Sequence, residues 1–187
     1  LDPRLITTVS PAVAKAAMES GVAQIEITDW EAYKTELRKR MGLDNRFLSN
    51  IANRAKQNPQ RVVFGEADNP KVLKAAHVAR EEGSCIPILL GFEDQIRSTI
   101  DELGLNLGDC TIIDPSRSPE LIDQYGKLYY EKRQRKGLTL HQAVKKMRQR
   151  TYFGAMMVEL GQADAFISGQ NSNYPDTIRP ALEIIGK

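Results

Sequence analysis

Hydrophobic and polar positions divide the chain into two unlike parts. Up to about residue 58, apolar positions recur at helical spacing and no strand pattern occurs. Ser10 followed by Pro11 indicates a helix start, because Ser caps a helix and Pro fits its first turn. The opening part is therefore predicted to be a helical appendage. Its predicted helices cover residues 10–20, the stretch from Asp29 to Gly42, and a stretch from Asp44 or Asn45 to just before Pro59.

The rest of the chain alternates short apolar runs with amphipathic stretches. The short runs are rich in β-branched residues and bounded by turn residues, which is typical of buried strands. Strands that alternate with helices of ten to fifteen residues indicate parallel pairing. We therefore predict an α/β domain with a three-layer parallel sheet. Its predicted strands are RVVFGEA (61–67), CIPILLG (85–91), DCTIIDP (109–115) and ADAFISG (163–169), with helices between them, two or three more from Ser118, and a last one starting near Asp176.

Composition excludes several classes of protein. Hydrophobic residues make up 41% and charged residues 27%, as in ordinary soluble domains. Apolar runs fall far short of the roughly 20 residues that span a bilayer, so no membrane partner is expected. The first ten residues do not resemble a secretion signal. Cys85 and Cys110 have no CxxC spacing, so we expect reduced thiols in a cytoplasmic protein.

Charge is concentrated in one segment. The whole chain has a formal net charge of +2, yet residues 127–150 contain nine Lys or Arg and one Glu. Such a segment either binds an anion or forms a solvated helical face. Nucleic acid is not expected, because the segment lacks interleaved aromatic residues and any RNP or zinc-finger motif. A phosphate-bearing small ligand and a solvated surface both remain open.

Ligands of open α/β sheets bind beyond the carboxyl ends of the strands. In the last such loop, Asp176 or Thr177 is predicted to cap the following helix, whose amides favour an anion. Arg179 could bind phosphate or carboxylate with two parallel hydrogen bonds, or it could pair with Glu183 or Asp176 on its own helix. Ser168 ends the strand and has either a ligand-binding or a turn role.

Other titratable residues give weaker signals. Glu66 and Asp68 follow the first strand and either face the ligand cleft or cap the next helix. His77 lies mid-helix among apolar positions, which favours a packing role over that of a general base. His141, after Thr139, is expected in the first turn of a helix.

Three segments together resemble the phosphate acetyltransferase family: YFGAMMVELGQADAFISG, the following DTIRPALEII, and the upstream YYEKRQRKGLT with its R-x-x-KG pattern. The resemblance covers residues 58–187. It implies the first subdomain of the phosphotransacetylase or isocitrate-dehydrogenase-like fold. Members of that family hold phosphate and CoA groups with arginines, and by motif Arg133 and Arg179 correspond to two of them. Lys136 belongs to the same basic segment as Arg133.

The opening LDPRLITTVSPAVAKAAMESGVA is similar to the last catalytic segment of bacterial NADP-dependent malic enzymes, in the hybrid form fused to a phosphotransacetylase-like domain. This implies a malic-enzyme tail with a connecting helix over residues 1–44 and the first part of the fused domain over residues 45–187. By family architecture, the chain would be a fragment that ends near a crossover, with an incomplete sheet. The full-length enzyme would decarboxylate malate oxidatively with NADP and Mg or Mn, whereas this piece carries no GxGxxG motif and no cofactor or metal of its own.

The loop GQNSNYPD departs from the family pattern. Active phosphate acetyltransferases carry a GAxH[ST]-type sequence there, with a histidine that this chain lacks. The resemblance therefore implies a regulatory domain of a homo-oligomeric enzyme that binds acetyl-CoA or a related phosphorylated effector without catalysing transfer. A working acetyltransferase and a purely structural assembly module are the alternatives. The expected ligand-binding residues, none of them catalytic, are Arg133, Lys136, Ser168, Asp176, Thr177 and Arg179.

Overall fold

A computed structural model describes residues 4–40 and 46–186. The chain divides into two compact units, Leu1–Asn53 and Arg54–Lys187. The boundary predicted between residues 44 and 45 lies outside the described ranges, as do the predicted end of the second helix at Gly42 and the start of the third.

The first unit is helical. It contains α1 (Arg4–Glu19), α2 (Trp30–Arg40) and the start of α3 (Arg46–Gln57). Helices α1 and α2 contact each other. The predicted start of α2 is confirmed, since a carboxylate oxygen of Asp29 accepts the backbone N–H of Ala32 at 2.9 Å.

The predicted start of the first helix was wrong. Helix α1 begins at Arg4, so Ser10 and Pro11 lie inside it. A proline within a helix removes one backbone hydrogen bond but does not always end the helix. The Ser–Pro pair indicates a start only where the preceding residues do not themselves continue the helix, and here residues 5–9 do.

As far as its residues are described, the second unit is built on a four-stranded parallel sheet, and the four predicted strands are confirmed. The strand order is β3-β2-β1-β4, so β1 and β2 are central while β3 and β4 form the edges. The register places Val63 beside Ile88 of β2 and beside Phe166 of β4. The strands are β1 (Gln60–Phe64), β2 (Cys85–Leu90), β3 (Thr111–Ile113) and β4 (Ala165–Ile167).

Helices cover both faces of this sheet. Alternation along β1 sends Val63 into a core shared with α6–α9 and Phe64 into a core shared with α4 and α5. The predicted three-layer α/β architecture is therefore confirmed. The helices are α4 (Pro70–Glu81), α5 (Glu93–Leu103), α6 (Pro119–Arg133), α7 (Leu140–Met147), α8 (Arg150–Glu159) and α9 (Tyr174–Ile184).

Glycines permit two close approaches in this unit. A Cβ added at Gly126 of α6 would lie 2.8 Å from Cα of Val144, so α6 and α7 approach each other over a bare backbone. The ring of Phe166 on β4 lies between Gly65 and Gly154, where added Cβ atoms would be 2.6 and 2.5 Å from it. Phe166 thus fixes β4 against both β1 and α8.

Strand β4 lies at an edge of the sheet and is only three residues long. Its last residue, Ile167, is 55% exposed. Within the two described ranges, no helix is long and apolar enough to cross a bilayer.

Candidate functional site

A cavity of about 640 Å³ opens beyond the carboxyl ends of β1 and β4. Strand β1 connects onward to β2 on one side, and β4 lies on its other side, so the order reverses here. Such switch points are where open α/β sheets bind ligands. The lining comes from the loop after β1, the end of α7, the start of α8, the loop after β4 and α9. It includes Gly65, Glu66, Asp68, Lys146, Gln149, Arg150, Thr151, Tyr152, Ser168, Asn171, Ser172, Asp176 and Arg179.

Arg179 brings a cation into this cavity from the second turn of α9. Its side chain is exposed, and within the described residues it forms no ion pair. The alternative pairing with Asp176 or Glu183 on its own helix is not formed. The guanidinium is therefore available to an anionic group, which it can bind through two parallel hydrogen bonds.

The predicted cap of α9 was wrong. The helix begins at Tyr174 with Asn173 as its N-cap, because Pro175 fits the first turn and moves the start upstream. Asp176 instead accepts a hydrogen bond from the Asn173 side-chain amide at 3.1 Å. Thr177 donates its hydroxyl to the backbone carbonyl of Asn173 at 3.1 Å and does not line the cavity.

Ser168 presents a hydroxyl without a partner. Its Oγ is buried and has no hydrogen-bond partner among the described residues. It also lines the cavity. A buried hydroxyl without a partner loses free energy relative to one in water, so this group favours a ligand that accepts a hydrogen bond.

Glu66 organises the loop after β4. It is only 8% exposed, which places its carboxylate inside the protein. The two carboxylate oxygens accept the backbone N–H groups of Gly169, Gln170 and Asn171 at 3.1, 2.7 and 3.2 Å. The hydroxyl of Ser172 donates a fourth hydrogen bond at 3.3 Å. Glu66 thus faces the cleft, one of the two roles left open by the sequence.

The second role left open by the sequence, capping of the helix after β1, belongs to a neighbouring asparagine. Asn69 is the N-cap of α4, and its Oδ1 accepts the backbone N–H of Lys71 at 2.9 Å. The Asn69 side-chain amide also donates to Oδ1 of Asn171 at 3.3 Å, which gives the two loops a second link. Asp68 forms an ion pair with Arg150 at 2.7 Å, and the Arg150 guanidinium lies 4.6 Å from the centre of the Phe92 ring.

A polar cluster around Glu183 contributes two of its members, Lys146 and Tyr152, to the lining of the cavity. The carboxylate accepts hydrogen bonds from the hydroxyls of Tyr129 and Tyr152 at 2.5 and 2.8 Å, and from Lys146 at 3.3 Å. Its other oxygen lies 3.5 Å from the guanidinium of Arg133. Burial alone would raise the pKa of Glu183, but these hydroxyls and the charge of Lys146 lower it below its ordinary value. Burial would likewise lower the pKa of Lys146, yet the Tyr152 hydroxyl and Glu183 raise it, so both groups stay charged.

Only part of the predicted site comes together. Ser168, Asp176 and Arg179 line the cavity, as predicted from the loop after the fourth strand. Arg133 does not line it, because Glu183 holds its guanidinium. Lys136 is exposed in a short 3₁₀ turn after α6, also outside the cavity.

The other basic residues at the cavity, Lys146 and Arg150, were not predicted from the sequence. Both belong to the basic segment 127–150, but spacing alone did not distinguish them from its exposed members. The two histidines do not contribute either. His77 lies against the carbonyl of Asn106 at 3.1 Å on α4, and His141 is in the first turn of α7 as predicted.

The arrangement is suited to binding an anion. Among the described residues, it offers the guanidinium of Arg179 without an ion pair and the hydroxyl of Ser168 without a partner, while the other two lining cations, Lys146 and Arg150, are paired. No group of three or more His, Cys, Asp or Glu side chains that could hold a metal ion occurs in residues 4–40 and 46–186, so far as their side chains are described.

Comparison with known proteins confirms both resemblances. The NADP-dependent malic enzyme of Salmonella typhimurium is 36% identical over 99% of this chain and 25% of its own length. The phosphate acetyltransferase of Thermoanaerobacterium thermosaccharolyticum is 38% identical over 74% of this chain and 41% of its own. A solved phosphotransacetylase from Streptococcus pyogenes superposes with a TM-score of 0.68 at 34% identity, over 73% of this chain and 41% of that one. The chain therefore spans about a quarter of the malic enzyme and two fifths of the two transferases. Residues 46–187 match the family described as phosphate acetyl/butaryl transferase, and the chain belongs to that family.

Proposed function

We propose that this chain is the phosphate acetyltransferase-like part of an NADP-dependent malic enzyme, and that its cavity binds acetyl-CoA or a related phosphorylated effector. The malic enzyme from Salmonella typhimurium matches 99% of the chain, whereas the transferase from Thermoanaerobacterium thermosaccharolyticum matches 74%. Malate oxidation with NADP and a divalent metal then belongs to the malic part of the intact cytoplasmic protein. The part described here regulates that reaction and contributes to homo-oligomer assembly.

The pairing pattern in the cavity is the observation that carries the proposal. Lys146 is held by Glu183 and Arg150 by Asp68, which leaves Arg179 as the lining cation without an ion pair among the described residues. Ser168 adds a hydroxyl that has no hydrogen-bond partner in the part of the chain that the structure describes. A guanidinium and a hydroxyl that face one cavity match the charge and the hydrogen-bond acceptors of a phosphate. The volume of about 640 Å³ lies within the ordinary range of small-molecule sites.

The loop after β4 supports the proposal of binding without transfer. The segment GQNSNYPD has no histidine, and the backbone N–H groups of Gly169, Gln170 and Asn171 are occupied by Glu66. Acyl transfer needs donors placed at the reacting atoms, and misplacement by about 1 Å can cost on the order of a hundredfold in rate. Binding through Arg179 does not require that placement.

Replacement of Arg179 by Ala in the intact protein tests the proposal. Loss of hydrogen bonds to a charged group costs about 1.5–3 kcal/mol, so the Kd for acetyl-CoA should rise about 10- to 100-fold in isothermal titration calorimetry. Arg135→Ala is the matched control, because Arg135 is an exposed arginine of the basic segment outside the cavity. Equal affinities in the two variants would remove Arg179 from the ligand site.

A working phosphate acetyltransferase is the second candidate. It is favoured by the 38% identity to the transferase of Thermoanaerobacterium thermosaccharolyticum. The intact protein should be incubated with acetyl-CoA and phosphate, and acetyl phosphate measured. The proposal expects no acetyl phosphate above the background without protein. Formation that depends on protein concentration and is lost in Arg179→Ala would favour the transferase instead.

A further inference from the structure

The amide donors after β4 form an anion-binding nest that is already occupied. Three successive N–H groups, from Gly169 to Asn171, converge on one carboxylate, that of Glu66. Successive backbone N–H groups in a turn bind phosphate and other anions in many proteins. In this protein the anion is a side chain of the protein itself.

The burial of Glu66 depends on these donors. The residue is 8% exposed, and within the described residues it forms no ion pair with Lys, Arg or His. An isolated carboxylate is costly to bury unless hydrogen bonds stabilise its charge. The amides and the hydroxyl of Ser172 supply that stabilisation. Glu66 and the loop after β4 therefore hold each other in place.

This contact is directly adjacent to the proposed ligand groups. Ser168 immediately precedes the three amides, and α9 with Arg179 follows the same loop. The hydroxyl of Ser168 also lies close to the residue before Glu66, since a Cβ added at Gly65 would be 3.2 Å from Oγ of Ser168. Because Ser168 is bonded directly to Gly169, movement of the loop away from Glu66 would displace Ser168.

We infer that Glu66 is a positioning residue of the anion site: it occupies the amide nest and holds the loop so that a ligand phosphate binds to Ser168 and Arg179 instead. The ligand part of this inference rests on the proposed function. The occupation of the nest by a carboxylate can be tested without any acetyl-CoA.

Chemical rescue tests the inference in the intact protein. Glu66→Ala empties the nest and leaves room for a small carboxylate, so formate should raise the melting temperature of this variant. Potassium chloride at the same ionic strength should not. Glu82→Ala is the control, because Glu82 is exposed and its side chain has no hydrogen bond or ion pair among the described residues. An equal formate response in the two variants would overturn the inference.

Acetyl-CoA binding gives the second readout. The Kd of Glu66→Ala should rise about tenfold, as expected for loss of one hydrogen bond to a charged group, and formate should restore it. General destabilisation would not be reversed by formate alone. An unchanged Kd, or a raised Kd that formate does not lower, would contradict a positioning role.

Failure of the wild-type protein to bind acetyl-CoA and failure of Glu66→Ala to fold have separate consequences. If the wild-type protein does not bind acetyl-CoA, the proposed function fails, while the formate-dependent melting temperature still decides the occupation of the nest. If Glu66→Ala folds only in formate, the inference is supported. If it folds in neither salt, Glu66→Gln decides, because its neutral amide fills the space but donates toward the loop N–H groups. Weaker acetyl-CoA binding by Glu66→Gln supports the positioning role, and wild-type affinity overturns it.

Discussion

Removal of Glu183 should destabilise the second unit more than its position near the end of α9 suggests. The carboxylate accepts from two tyrosine hydroxyls and pairs with Lys146 and Arg133. Glu183→Ala would leave these two cations partly buried without a counter-charge.

The exposure of these groups sets the size of the expected loss in the free energy of unfolding. The side chains of Glu183, Arg133 and Lys146 are 17%, 23% and 33% exposed. Breaking a fully buried pair costs about 3–5 kcal/mol, whereas exposed pairs are worth about 0–1 kcal/mol. We therefore expect Glu183→Ala to lower the free energy of unfolding by roughly 2–3 kcal/mol, a large share of the roughly 5–15 kcal/mol typical of a domain.

Urea unfolding followed by circular dichroism measures this loss. Glu131→Ala is the control, since Glu131 is exposed on α6 and its side chain has no partner among the described residues. Such surface substitutions normally change stability by less than about 0.5 kcal/mol. If Glu183→Ala were as stable as Glu131→Ala, the reasoning would be refuted.

The dependence of stability on acid pH gives an independent check that Glu183 stabilises the folded state in its charged form. The pKa of Glu183 is lowered in the folded state despite its burial, by the tyrosine hydroxyls and by Lys146. Its contribution to stability is therefore fully present above the ordinary glutamate pKa of 4.5 and is lost as the pH falls through the lower folded value. The difference between wild type and Glu183→Ala should shrink as the pH falls below 4.5.

Two further substitutions test other parts of the fold. Gly126→Ala would place a Cβ 2.8 Å from Cα of Val144, so α6 and α7 must separate. We expect urea unfolding to show a loss of about 1–3 kcal/mol in the free energy of unfolding, and wild-type stability would contradict the close approach. Asp164 accepts hydrogen bonds from the side chain and backbone of Arg61, which lower its pKa from 3.8 to about 2. The ionised Asp164 therefore stabilises the folded state fully above pH 3.8, and this stabilisation is lost as the pH falls to about 2. Asp164→Asn should make the free energy of unfolding less dependent on pH between 3.8 and about 2, and an unchanged pH profile would exclude this pair.

The strands of the sheet could be predicted from the sequence because each one is marked by its own residues and by the turn residues beside it. Runs such as RVVF and CIPILL are apolar and bounded by turn residues, and their parallel pairing follows from the helices between them. The starts of the helices were predicted less accurately than the strands. The predicted start of α1 was wrong because Ser10–Pro11 lies inside a helix that begins at Arg4, and the signal for the start of α9 at Tyr174 is Pro175 in its first turn.

The site was predictable only where one loop supplies it. Ser168 and Arg179 follow the same strand, so the sequence placed both at one edge of the sheet. Arg133 was expected beside them from its motif, but Glu183 holds it from a position fifty residues away on another helix. The contacts of Glu66 with the loop after β4 span more than a hundred residues. Such pairings depend on how helices and loops pack, which residue spacing does not encode.

The short edge strand β4 has a practical consequence for handling the protein. Its outer side has no neighbouring strand among the described residues, and Ile167 there is 55% exposed. Unpaired edges with apolar side chains are templates for aggregation. Preparations limited to these residues should therefore self-associate with rising concentration, and a charged substitution such as Ile167→Lys should keep them dispersed.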